Sequence, residues 1–231
     1  MESEYLHILK SYFGDSYVFI EKLICSQDEH TRIHSENVAA YAILFGKTLN
    51  LNNKDLELIK IGSLLHDIGK IGIPNYILNK NDVLTKAEYE IIKKHPLIGE
   101  ALLPNNCHEE IKKIVRSHHE RIDGHGYPDG IEGNDISYLS RMVTIADAFD
   151  AMMTKRPYNS EKTLEEALKE LYKFSRPQLN RFGKTVQQFD SCLVDVFIQV
   201  INKDHCLLKK EDARFVNNEK VLQMKKIEKK K

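Results

Sequence analysis

Residues 53–70 read NKDLELIKIGSLLHDIGK. Leu58, Ile61, Leu65 and Ile68 recur at three- and four-residue spacing, which predicts a helix with one buried face. Asn53 stands where an N-cap belongs. The run ends with a histidine and a carboxylate side by side on otherwise apolar ground. Adjacent helical residues diverge by roughly 100°, so His66 and Asp67 can reach two neighbouring positions. Lys70 lies four residues after His66 and is expected on the same face.

Outward from this run the helical period persists. One stripe joins His34, Val38, Tyr41 and Phe45; another joins Met142, Ile145, Phe149 and Met152; a third joins Phe189, Leu193, Val196 and Val200. Strand-like alternation is nearly absent, so the expected fold class is all-α. Thr85 with Glu88 and Thr163 with Glu166 fit capping boxes. Two segments break the pattern. Residues 71–84 (IGIPNYILNKNDVL) carry a proline and an Asn-Asp turn signal, and residues 123–134 (DGHGYPDGIEGN) hold four glycines and a proline. Three parts are expected: an N-terminal helical extension over 1–27, a main domain over 28–203 and a Lys-rich tail over 204–231. Residues 174–188 are basic, contain Pro and Gly, and suit a loop near the cleft.

Composition narrows the function. Lys and Arg number 34 and so do Asp and Glu, which argues against a nucleic-acid binder driven by bulk charge. No apolar run approaches the ~18 residues of a membrane span. The start MESEYLHILK lacks a basic region followed by an apolar run, so no secretory signal is expected. Cys25, Cys107, Cys192 and Cys206 form no CxxC pair and read as reduced thiols of a cytoplasmic protein.

The anomaly is histidine, at ten copies. His34, His66-Asp67, His95, His118-His119 and Asp147 each sit on helical, largely apolar ground. Taken singly, a histidine on an apolar face is ordinary. Asp147 within VTIADAFDAMM is not, because a buried carboxylate needs a partner, and a cation is the simplest. His118 continues the apolar face of Ile111, Ile114 and Val115 and should point inward. Seven N/O ligands without thiolate suit Fe or Mn better than structural zinc. They also exceed what one ion takes while leaving room for substrate. Two ions about 3.5–4 Å apart can generate a bridging hydroxide and clamp a phosphoester. Lys70 beside them suits a phosphate oxygen.

Together HDIGK at 66–70 and HHERIDGHGYP at 118–128 closely resemble the HD-GYP domain of the HD phosphohydrolase superfamily. HSENVA at 34–39, IGIPNYIL at 71–78, IADAFDAM at 145–152 and RPY at 156–158 follow in order. The resemblance implies an HD-domain helical bundle with a small GYP loop region. It implies a metal-dependent phosphodiesterase that hydrolyses cyclic di-GMP to linear pGpG, in some members on to GMP. It places His34, His66, Asp67, His95, His118, His119 and Asp147 as metal ligands, with Asp67 bridging and catalytic. Lys70 would contact the scissile phosphate, and Tyr127 and Arg156 the nucleotide, while Asp123, Gly124, Gly126 and Pro128 shape the substrate loop. Asp150 is expected to be structural rather than ligating. Members with three metals carry Glu four residues before the first His ligand; His30 stands there, which favours two ions over three. Asn159 replaces a basic residue that some relatives carry after RPY. Two other readings stay open: a hydrolase of a related cyclic dinucleotide, and a catalytically weak receptor or module that docks diguanylate cyclase (GGDEF) proteins through the GYP loop.

Overall fold

A computed structural model describes residues 2–26, 28–80, 82–154 and 162–203. RPY at 156–158, with Arg156 and Asn159, and the Lys-rich tail fall outside the described residues. The fold is helical: α1 (Glu2–Phe13), α2 (Tyr17–Cys25), α3 (Glu29–Thr48), α4 (Asn53–Leu65), α5 (Asn75–Leu78), α6 (Lys86–Ile92), α7 (His95–Leu102), α8 (Glu109–Ser117), α9 (Tyr138–Met153), α10 (Leu164–Phe174) and α11 (191–203). Among the described residues the exception is a two-residue-per-strand hairpin, β1 (Gln178–Leu179) against β2 (Thr185–Val186), antiparallel. It lies in the basic segment read as a plain loop; runs this short carry no visible alternation.

α3 packs against α4 and α9, and α4 against α8. The predicted stripes face one another: Val38 and Phe45 from α3, Leu58, Ile61 and Leu65 from α4, and Met142, Ile145 and Phe149 from α9 are buried. Phe197 of α11 closes this core, edge-to-face on Phe45 at 5.2 Å and on Phe149 at 5.3 Å. Leu9, Phe13 and Ile20 of the N-terminal helices join the same core, and Tyr12 donates to Glu57 on α4 at 3.0 Å.

Both capping boxes form, at Thr85–Glu88 and Thr163–Glu166. The cap of α4 is Asn52 rather than Asn53: its backbone is extended and its side chain accepts from Asp55 N. Within 71–84 the chain makes the short helix α5, which Pro74 precedes. α4 ends at Leu65, and a 3-10 turn (Ile68–Gly72) follows. Lys70 therefore does not share a helical face with His66; it pairs with Asp67 three residues back. No helix among the described residues is long and apolar enough to cross a membrane.

One glycine sets how tightly this turn seats. A Cβ at Gly69 would lie 1.9 Å from the His95 carbonyl oxygen and 2.5 Å from Gly99 N. The turn that follows Asp67 thus lies backbone-to-backbone on α7, which begins with His95.

Candidate metal centre

The site gathers side chains from helix ends. His66 follows the last residue of α4, His95 opens α7, and His118 follows the last residue of α8. Each has Nδ1 beside the carbonyl three residues back: Ser63 O at 2.6 Å, Ile92 O at 2.8 Å and Val115 O at 3.0 Å. A carbonyl only accepts, so each Nδ1 carries the proton and each Nε2 keeps a lone pair. His34, on α3, is oriented differently: its Nδ1 lies 2.6 Å from Asp150 Oδ2, and Asp150 Oδ1 accepts from Asn37 Nδ2. Asp150 thus fixes an imidazole from outside the cluster.

The four Nε2 atoms converge on Asp67. Its Oδ1 lies 3.3 Å from His95 Nε2 and 4.0 Å from His118 Nε2. Its Oδ2 lies 3.4 Å from His66 Nε2 and 3.7 Å from His34 Nε2. Two groups with metal-ligand spacing result: Asp67, His95, His118 and His119, and His34, His66 and Asp67. Asp147 joins the second, with Oδ1 3.0 Å from His34 Nε2 and 4.0 Å from His66 Nε2. All seven expected ligand positions therefore meet, and Asp67 is common to both groups. His30 is exposed and belongs to neither.

Two observations fit a cation here. First, His66 Nε2 and Asp67 Oδ1 are buried without a hydrogen-bond partner, a costly state for a lone pair unless an ion takes it. Second, the protonation states suit ligation, which needs neutral imidazoles and ionised carboxylates. Burial pushes His95 and His118 down, and His119 down to about 3. Burial raises Asp67 and Asp147, but Lys70 and the surrounding imidazoles outweigh it for the first, and His34 above all for the second; both end below the usual carboxylate range. His34 departs from this. Burial lowers it, yet Asp147 and Asp150 on its two sides bring it up to about 9.

Beside the cluster lies the GYP loop. The Tyr127 ring stacks on His119, 4.7 Å between centroids and 28° between planes, and Tyr127 N donates to His119 O. A Cβ at Gly126 would come 2.4 Å from Glu120 Cα, so only glycine lets the loop fold back on the His118-His119 turn. Asp123 does not face the cluster. Its carboxylate takes Arg121 at 2.7 Å and the N–H groups of His125 and Gln187, tying the loop to the segment after β2. Gly124 N closes a turn onto Arg121 O, and a cis bond joins Tyr127 to Pro128. His125 is exposed. Lys70 Nζ donates to Asp67 Oδ2 at 2.5 Å.

Glu120 escaped the sequence reading. It is buried, its Oε1 accepts from Asp129 N and Gly130 N, and burial raises its pKa. Arg116 forms a bidentate pair with Asp129, at 2.6 and 2.8 Å, and also bonds Glu100 on α7. Glu120 and Arg116 thus pin the loop at its far end. In sequence Glu120 reads as one more charged residue after the HH pair; its signal is adjacency to the two histidines.

Residues 19–182 match the HD domain family. A 3'3'-cGAMP-specific phosphodiesterase of Vibrio cholerae is 34% identical over 169 residues, 73% of this chain and 35% of that protein. A cyclic di-GMP phosphodiesterase of Thermotoga maritima is 38% identical over 152 residues, 64% of this chain and 41% of that protein. The chain thus spans about two fifths or less of the length of these relatives. The solved structure of a HDG"Y"P protein from Bdellovibrio bacteriovorus shares the fold, with a TM-score of 0.57 at 23% identity over 73% of this chain and 51% of that one. With its helical fold, its HD pair and its GYP loop, the chain belongs to the HD domain family, on the HD-GYP branch.

Proposed function

We propose that this chain is a metal-dependent phosphodiesterase of cyclic dinucleotides, with cyclic di-GMP its first substrate. The observation that carries the reading is Asp67, whose two oxygens face two separate imidazole groups beside an intact GYP loop. In this reading His95, His118, His119 and Asp67 hold one divalent ion, and His34, His66, Asp147 and Asp67 a second. The all-N/O donor set favours iron or manganese. Such ions supply the Lewis acidity that activates water and offsets charge on a phosphoester.

The chain's own residues do the rest. Proton-bearing Nδ1 atoms, each on a fixed acceptor, aim the Nε2 lone pairs inward. Lys70, 28% exposed at the side chain, is free to turn from Asp67 to a phosphoryl oxygen of the scissile bond. Tyr127, stacked on His119, limits the room beside the cluster and presents its hydroxyl to the nucleotide. Arg156 is assigned a nucleotide contact from the sequence alone. The product is linear pGpG, the setting the cytoplasm, and the GYP loop the surface for a GGDEF-type partner.

A second substrate has its own support, since the Vibrio relative named above is specific for 3'3'-cGAMP. The test takes protein purified without oxygen, measures bound Fe and Mn, and follows both cyclic dinucleotides by chromatography. Linear product from cyclic di-GMP, abolished by Asp67→Ala, is expected. Faster turnover of 3'3'-cGAMP would reassign the substrate. Full metal with no product from either would replace the enzyme by a receptor.

A further inference from the structure

The mechanism leaves unused a cation and a ring just outside the cluster. Lys93 follows the last residue of α6, two residues before His95. Its Nζ lies 5.6 Å from the centroid of Tyr127 and 5.7 Å from that of Tyr89. Tyr127 in turn stacks on His119. Lys93 therefore stands one aromatic ring away from the metal-facing imidazoles. Lys70, already assigned to the scissile phosphate, pairs with Asp67. Lys93 also donates to Glu90 at 2.8 Å, but Glu90 is 65% exposed, and an exposed pair of this kind is easily exchanged for a better anion. Tyr89 is half-exposed.

A cyclic dinucleotide brings two phosphates and two purines in one ring. When one phosphate sits at the cluster with Lys70, the other needs a cation a short distance off, and a purine needs a flat face. We propose that Lys93 and Tyr89 form the subsite for this second half: Lys93 takes the phosphate that is not cut, and Tyr89 stacks a purine. The proposal rests on the function proposed above. The chemistry is ordinary for both groups, since an ammonium is a compact point charge for phosphate and a base stacks on any aromatic face.

The probe is the bisphosphorothioate analogue of cyclic di-GMP, which resists cleavage, titrated by calorimetry into the manganese-loaded chain. Lys93→Ala is expected to weaken binding by about tenfold, the loss of one charge-assisted hydrogen bond. Lys93→Arg should restore it to within about threefold, because charge and ring contact both survive. Tyr89→Leu should cost about tenfold. Bound manganese is measured in each variant. A loss of metal in proportion to affinity would overturn the subsite in favour of a structural effect on His95. Unchanged binding by Lys93→Ala and Tyr89→Leu would overturn it directly, as would an unmodified chain that does not bind the analogue. Binding with the expected losses, but no turnover of cyclic di-GMP itself, would leave the subsite standing and sink the catalytic reading alone.

Discussion

Substituting Gly69 by alanine tests whether the close seat of its turn is what assembles the centre. The added Cβ would lie 1.9 Å from the His95 carbonyl oxygen, against 3.4 Å for ordinary contact, so turn and helix must part by about 1.5 Å. The obstacle is backbone on both sides, His95 O and Gly99 N, and cannot rotate away. The cost should sit near the top of the overpacking range, about 3 kcal/mol. For a chain of this size that lowers Tm by roughly 6–12 °C. The functional consequence is larger. Metal ligands tolerate about 0.2 Å of displacement. Asp67 and His95 straddle the seam, with Oδ1 and Nε2 only 3.3 Å apart. The ion assigned to His95, His118 and His119 should be lost first, while His34, His66 and Asp147 lie on the other side. Elemental analysis of the purified variant should find bound metal reduced by at least half, and calorimetry a depressed Tm. Full metal with a Tm within about 2 °C of the parent would refute the argument that this approach positions the ligands.

Other outcomes follow from the same geometry. Asp150→Ala removes the acceptor of His34 Nδ1 and should weaken metal affinity by about 10- to 100-fold, with Asp150→Asn losing less; metal-buffer titration reads this. Phe197→Ala empties a fully buried site between Phe45 and Phe149 and should cost about 3–5 kcal/mol in denaturant unfolding, with metal content unchanged in the folded protein. Glu88, held by Lys80 and by the Thr85 cap, has its carboxyl lowered to about 2. A depressed carboxyl stabilises the fold above its unfolded pKa and ceases to do so as pH falls through the folded value. The Tm gap between the parent and Glu88→Gln should therefore be full above pH ~5 and close toward pH ~2. A gap that widens on acidification would contradict the assignment.

Much of this protein is legible along the chain. Stripes such as Val38 with Phe45, or Met142 with Phe149, required helices that bury one face, and those residues are buried. The two capping boxes were visible because capping is a local event, settled by residues three apart. The residue types of the candidate centre were visible too, because imidazoles and carboxylates on apolar ground contradict their surroundings. Helix ends were less legible. Asn52 and Asn53 are chemically the same cap, and only the backbone at Asn52 chooses between them. The turn after Leu65, which moved Lys70 off the face of His66, depends on how closely Gly69 can approach α7.

What the sequence determined by itself is the inventory: a helical chain, a set of N/O donors and a glycine-rich loop, each following from side-chain chemistry and local spacing. The pairing comes from the packed fold. His34 and Asp150 are 116 positions apart yet 2.6 Å from each other, and each face of Asp67 meets histidines from different helices. No local pattern encodes such contacts, because they arise when the buried faces of α3, α4, α8 and α9 pack and carry their polar side chains to one point.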